Sequence, residues 1–322
     1  MSIIQDYTLK PNLFFKNEHI NTIYRHIAYK TNINYKRERL QTTDGDFLDL
    51  DISSINSNKL IIAIHGLEGS SYSNYIQSLV KNANKIDYDL IALNLRSCSG
   101  KINNKLSSYH SGKTEDLWDV VQYLNNKYSY KEINIVGYSL GGNLTLKFMG
   151  EFADKLPENI KTAVAISTPC DIKGSALSLS KGFNKTYQYR FLKSLKKKSL
   201  KKFIKFPNHN LDTNKVLNSK SFKEFDNYYT APTNGFKDAE DYWKKSSSKQ
   251  FIQFINKPTL LISALDDPFL SKSCYPFSEA KNHKFFHFLP TKYGGHLGFY
   301  KSFNLKNNVW LDNTILKFIK TN

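Results

Sequence analysis

Short apolar runs divided by polar stretches dominate the chain: Leu60 to Ile64, Leu90 to Leu95, Ile133 to Val136, Ala163 to Ser167, Thr259 to Leu265 and Phe285 to Leu289. Runs of this length, rich in β-branched residues, predict buried strands. Between most of them the apolar spacing changes to a helical period. "SNYIQSLVKNANKI" sets Ile76, Leu79, Val80 and Ala83 on one face, and "TEDLWDVVQYLNNKY" does the same with Leu117, Val120, Val121 and Leu124 behind an acidic first turn. Strands alternating with helices predict βαβ units and a mostly parallel sheet covered on both faces. Ahead of them, "RERLQTTDGDFLDLDIS" alternates around Asp44-Gly45, which predicts an antiparallel hairpin at the N-terminal edge.

The alternation breaks once. About 90 residues separate Ser167 from Thr259, against the roughly 2 to 6 of an ordinary connection. A helical insertion is expected there, over approximately 171–250. Within it, "YRFLKSLKKKSLKKFIKF" spreads Phe191, Leu192, Leu195, Leu200, Phe203 and Ile204 over a broad apolar face, with lysines on most of the remainder. This predicts a basic amphipathic lid helix with solvated lysines; peripheral contact with an anionic membrane is the alternative. "NNVWLDNTILKFIK" predicts a closing helix.

Composition narrows the class. With 322 residues, 40% hydrophobic and 23% charged, the chain is globular and able to bury a large core. No run is long enough for a transmembrane helix, and the start lacks the pattern of a secretory signal. Cys98, Cys170 and Cys274 lie far apart without metal spacing, so a reducing cytoplasm and no metal are expected. The net charge of +18 raises the question of an acidic partner. Most of the excess is lysine spread along the chain, and RNA-recognition and zinc-finger patterns are missing, so nucleic acid is not expected.

The candidate chemistry lies in "INIVGYSLGGNLTLKFMG", where Gly137-Tyr138-Ser139-Leu140-Gly141 joins a strand to a helix. That is the setting of a nucleophile elbow, a sharp turn that lifts a serine hydroxyl above the sheet. A side chain at Gly137 or Gly141 would crowd the turn, and Ser139 is expected in an unusual backbone conformation. The helix start aims the Leu140 amide at a developing oxyanion, and "IIAIHGLEGSS" offers Leu67 N–H as second donor. A serine also needs a base and an orienting carboxylate, in the chain order Ser, Asp, His. "LLISALDDPFL" supplies Asp266 and Asp267 at a strand end, and "FHFLPTKYGGHLGF" supplies His296 in a loop after the next strand. Asp267 is the better aligned of the two, with Asp266 capping the turn. His287 falls inside a strand pattern and His283 lacks a glycine-shaped loop, so both are weaker bases.

With these residues the sequence resembles the α/β-hydrolase superfamily and, more narrowly, its YheT-like subfamily. "NEHINTIY", "HGLEGSSYSNYI", "NLRSCSG", "SYHSGKTEDL", "GYSLGGNLTLKFMGE", "TAPTNGFKDAEDYW", "DDPF" and "GGHLGF" carry the likeness in order over almost the whole length. The resemblance implies one hydrolase domain over 1–322, with an eight-stranded sheet and a helical lid. It also assigns the triad to Ser139, Asp267 and His296. Some relatives have an HxxxxD acyltransferase signature; here the count from His110 reaches Glu115, with Asp116 one residue beyond, so that activity is not supported. His110 is expected to give structural support beside the site. The expectation is a cofactor-free serine esterase acting on small acyl esters of short to medium chain. The aromatics of the insertion, including Phe183, Tyr187, Tyr189 and Phe191, suggest an apolar acyl pocket, plain core packing being the commoner role of such residues. The alternatives are an ester synthase with the same triad, or a non-catalytic basic lipid-binding protein on this scaffold.

Overall fold

Strands built almost wholly from apolar residues must be covered on both sides, and that requirement organises the molecule. The structure is a computed structural model and describes residues 2–5, 8–28, 32–304 and 309–322. Its strands are β1 (Lys36–Gln41), β2 (Phe47–Ser53), β3 (Lys59–Ile64), β4 (Asp89–Asn94), β5 (Glu132–Tyr138), β6 (Ile160–Ile166), β7 (Thr259–Ala264) and β8 (Phe286–Thr291). They form one eight-stranded sheet in the order β1-β2-β4-β3-β5-β6-β7-β8. β1 and β2 pair antiparallel, as does β2 with β4, and all later pairs are parallel.

Alternate residues of each strand feed opposite faces. In β3, Leu60, Ile62 and Ile64 join one core layer and Ile61 and Ala63 the other. Helices α1 (Glu18–Ala28), α2 (Asn74–Asn84), α3 (Thr114–Lys127) and α4 (Leu140–Glu151) follow the periods read above. The faces of α2 and α3 are fully buried at all eight positions named in the sequence. α3 and α4 cover one side of the sheet, while α2 and the C-terminal helix Trp310–Thr321 cover the other.

The antiparallel edge is tied by charge as well as by its ladder. Arg37 and Arg39 of β1 stand opposite Asp51 and Asp49 of β2, each guanidinium 2.7 Å from its carboxylate. The alternating aspartates of β2 are therefore buried rather than solvated. A second ion cluster holds the hairpin turn. Arg96, just after β4, donates to Asp116 from Nε and Nη2 at 2.8 and 2.6 Å, and to Asp44 and Asp46 at 3.0 Å. Burial disfavours the charge on Asp44, yet Arg96 holds its carboxyl well below the ordinary carboxylate range.

Between β6 and β7 the chain runs through a series of helices, beginning with α5 (Ile172–Leu179) and α6 (Asn184–Lys205). No helix among the described residues is long and apolar enough to cross a membrane. α6 departs from the expected apolar face. Leu192 and Phe203 are buried and Phe191 and Leu195 partly so, but Leu200 and Ile204 are exposed, Ile204 at 73%. Lys202 takes an inner position instead, with no exposed surface. Its ammonium donates to Asn103 Oδ1 and to the carbonyls of Lys105 and Ser107. Those loop oxygens reward an amine at a place where another leucine would take a donor away from the Lys105 carbonyl. Burial pushes the Lys202 amine down to about 7. The lysines of this helix are therefore not uniformly solvated: Lys193, Lys197 and Lys201 are exposed, and Lys202 is a structural clip.

Candidate active site

β5 ends at Tyr138 and α4 begins at Leu140, so Ser139 alone turns the chain. Its backbone sits at φ 55°, ψ −116°, a region that serine adopts only under constraint from its surroundings. The glycines explain how the turn closes. A Cβ on Gly137 would collide with the carbonyl of Gly141, and one on Gly141 would lie 2.5 Å from the carbonyl oxygen of Ile64.

The turn delivers the hydroxyl to His296, whose Nε2 lies 2.9 Å from Ser139 Oγ. On the other side of the ring, Nδ1 lies 2.9 Å from Asp267 Oδ2 and 3.1 Å from Oδ1. A carboxylate at Nδ1 keeps the proton there and leaves Nε2 free to accept from the serine. Asp267 is also held: its Oδ1 accepts the Phe269 amide at 2.9 Å, and the Phe269 ring stacks on His296 at 4.0 Å between centroids. The three residues come from the ends of β5 and β7 and from the loop after β8, which parallel strands bring to one rim.

Asp266 has a different task. It accepts the amides of Gly294 and Gly295 at 3.3 and 2.9 Å, fixing the loop that carries His296. The far side of that loop rests on α1, where Thr22 Oγ1 accepts the His296 amide and Arg25 donates to the Leu297 carbonyl. This explains why α1 buries Asn21, Thr22 and Arg25 while Ile20, Ile23 and Ile27 face outward. His283 bonds the Ile252 carbonyl and His287 lies in β8, so neither competes for the serine.

After β3 the chain passes close over the serine at Gly66, where a Cβ would lie 3.0 Å from Ser139 Cβ. His65 shapes this passage: its Nε2 accepts Leu95 N–H at 3.1 Å and its Nδ1 meets the Gly66 carbonyl at 2.7 Å. Burial pushes the His65 imidazole down to about 4, so the ring is a neutral strut. The amides flanking Leu67 are already engaged, Gly66 N–H with Tyr75 Oη at 3.0 Å and Glu68 N–H with Tyr109 Oη at 2.8 Å. Leu67 and Leu140 line the same cavity as Ser139 and His296.

That cavity is mainly apolar, with Leu179, Phe191, Leu195, Phe222 and Phe225 from the insertion on its wall. Of the four aromatic residues expected there, only Phe191 lines it. Phe183 and Tyr189 are exposed, and Tyr187 packs on Phe269. Their places are taken by Phe222, Phe225 and Trp243, which the helical spacing of "YRFLKSLKKKSLKKFIKF" could not reveal. His110 stays outside, its Nδ1 accepting Gly112 N–H, with Phe236 and Tyr242 edge-on to its ring. Burial pushes it down to about 3, so it braces the neighbouring Ser111 loop as a neutral ring.

The sequence reading missed one acidic wall residue, Asp226, which opens a π-helical turn over Asp226–Thr230. Its carboxylate accepts from Thr230 Oγ1 at 2.7 Å and from Trp243 Nε1 at 2.8 Å. Burial nevertheless pushes it up to about 6. A carboxyl raised above its unfolded value holds its proton longer in the folded chain. Its contribution to stability is therefore present at low pH and is lost as pH rises through about 4 to 6. Asp226→Asn, which keeps an acceptor and removes the charge, should be about 1–2 kcal/mol more favourable to stability at pH 8 than at pH 4.5. Urea midpoints of both proteins at the two pH values measure this difference, and equal differences at both would contradict it.

Comparison with known proteins places this geometry among relatives. Residues 59–302 match the family model described as alpha/beta hydrolase fold. The chain is 31% identical over 314 residues to "Putative esterase YheT" of Escherichia coli (strain K12), covering 95% of this chain and 91% of that one. It is 25% identical over 303 residues to "Phospholipase ABHD3" of Bos taurus, covering 91% and 73%. Among solved structures, the esterase Pf2001 of Pyrococcus furiosus superposes with a TM-score of 0.60 at 18% identity, over 89% of this chain and 91% of that one, which is a likeness of fold.

Proposed function

Because the chain belongs to the α/β-hydrolase family, within its YheT-like group, we propose that it is a serine esterase that cleaves small acyl esters through an acyl-enzyme. The observation that supports this best is the unbroken line from Asp267 through both nitrogens of His296 to Ser139 Oγ, opening into an apolar cavity.

In this reading Ser139 Oγ attacks the ester carbonyl carbon while His296 Nε2 takes its proton, and Asp267 steadies the imidazolium that results. The carbonyl oxygen, now negative, receives the amides of Leu67 and Leu140. Collapse expels the alcohol, which leaves with the proton from His296. Water then enters, gives a proton to His296, attacks the acyl carbon and releases the acid, restoring Ser139. The insertion acts as a lid whose aromatic wall holds the acyl chain.

The test is a panel of p-nitrophenyl esters from acetate to dodecanoate, repeated with ethanol present and with products identified. Free acid should dominate throughout, and kcat/KM should rise from acetate to the medium chains as the wall becomes covered. A dominant ethyl ester would make transfer to an alcohol the main reaction, and a flat chain-length profile would remove the acyl role of the wall.

A further inference from the structure

The residue after Leu67 is Glu68, held at φ 56° in the left-handed region that a non-glycine residue enters only under constraint. Its carboxylate side chain is only 6% exposed and meets α6. Glu68 Oε1 accepts from Tyr109 Oη and from Lys198 Nζ, both at 2.8 Å, and Oε2 accepts from Ser194 Oγ. Tyr109 closes the knot by accepting the Glu68 amide, and Lys198 continues to Cys98 Sγ at 3.1 Å. Ser194 and Lys198 are one helical turn apart on α6. On the same helix, Phe191 and Leu195 face the cavity. One helix therefore touches both the place where an acyl chain would lie and the loop that carries the Leu67 amide.

We propose that Glu68 is a positioning residue through which α6 sets the Leu67 amide for the oxyanion, so that the donor is in place only when α6 is seated on the cavity. The proposal rests on the esterase reading of the site. Its chemistry is that of preorganisation. An oxyanion donor is effective only if its N–H already points at the charge that forms, and an amide in a strained loop holds that direction only while its neighbours hold the loop. Ser194 and Lys198 supply the hold. A long acyl chain packed against Phe191 and Leu195 seats the helix; acetate reaches neither residue firmly enough to do so. Chain length is thereby read in kcat as well as in KM.

The experiment compares wild type, Glu68→Gln, Ser194→Ala and Ser194→Thr with p-nitrophenyl acetate and octanoate, each well below its melting temperature. Glu68→Gln tests the carboxylate itself. Ser194→Ala removes one hydroxyl from a half-buried position, leaves the buried charge pair intact, and keeps the test usable if Glu68→Gln folds poorly. For octanoate, kcat should fall about 10- to 100-fold in both variants, the size expected for an oxyanion donor that is misaimed rather than deleted. KM should stay within about twofold, and Ser194→Thr should recover most of the loss. Acetate should lose less than octanoate. Inhibition by an octyl trifluoromethyl ketone, whose adduct carries the oxyanion, should weaken in step with kcat, while binding of octanol should not change. Unchanged kcat, or octanol binding that weakens together with kcat, would overturn the proposal. Ser139→Ala separates the two layers: if octanoate cleavage survives it, the esterase reading itself falls, and this coupling falls with it.

Discussion

Ser139→Ala should reduce ester hydrolysis by at least about 10⁴-fold and leave the fold intact. The hydroxyl lost is the one 2.9 Å from His296 Nε2, the atom that would take its proton. Alanine tolerates the turn no worse than serine does, because the strain at φ 55° belongs to the backbone and its surroundings. Stability should therefore change by less than about 1 kcal/mol. Labelling by a fluorophosphonate should vanish with activity. Ser139→Ala/His296→Ala should be scarcely slower than either single variant, since the two groups act as a unit and the remaining donors supply what is left. Multiplying losses, or a Ser139→Ala variant that retains labelling, would show that another group carries the reaction.

Arg96→Met should have the largest effect on stability. The guanidinium is 2% exposed and joins Asp44 of the hairpin turn, Asp46 beside it and Asp116 at the start of α3. Removing it leaves carboxylates facing one another with little water, a loss of about 3–5 kcal/mol where one partner of a buried pair is deleted. For a chain of this size that corresponds to a fall in melting temperature of roughly 4–7 °C. Arg96→Lys should recover only part, because an ammonium cannot present two parallel donors to Asp116 while also reaching Asp44. A melting curve for each variant decides it; a shift under about 1 °C for Arg96→Met would mean that the carboxylates simply protonate or hydrate at little cost.

What could be read in the sequence was whatever local periodicity and turn chemistry determine. The strand runs of β3 to β8, the faces of α2 and α3 and the hairpin at Asp44-Gly45 all follow from spacing, because their partners are the sheet itself. The positions of Ser139, Asp267 and His296 were legible too, since strand ends in a parallel sheet converge whatever the loops contain. The misses share one cause. Lys202, Glu68 and Asp226 are charged residues in the polar part of a pattern, and a pattern assigns such residues to water. Each is drawn inward by a partner distant in sequence: loop carbonyls at 105 and 107 for Lys202, Ser194 and Lys198 for Glu68, Trp243 for Asp226. Nothing within a helical period marks such partners. Leu200 and Ile204 show the converse, apolar residues left outside because the inner positions of α6 were taken by Phe203 and Lys202.

The helices between β6 and β7 leave one strand end and return at the next, and Ser139, Asp267 and His296 all lie outside them. In the proposed reading this segment can be exchanged as a cassette, trading substrate preference while the reacting atoms keep their inherited framework. On the coupling proposed above, a transplanted segment must bring a hydroxyl and an ammonium that meet Glu68, as well as an anchor for the loop that Lys202 holds, or the recipient will bind its new ester and turn it over slowly.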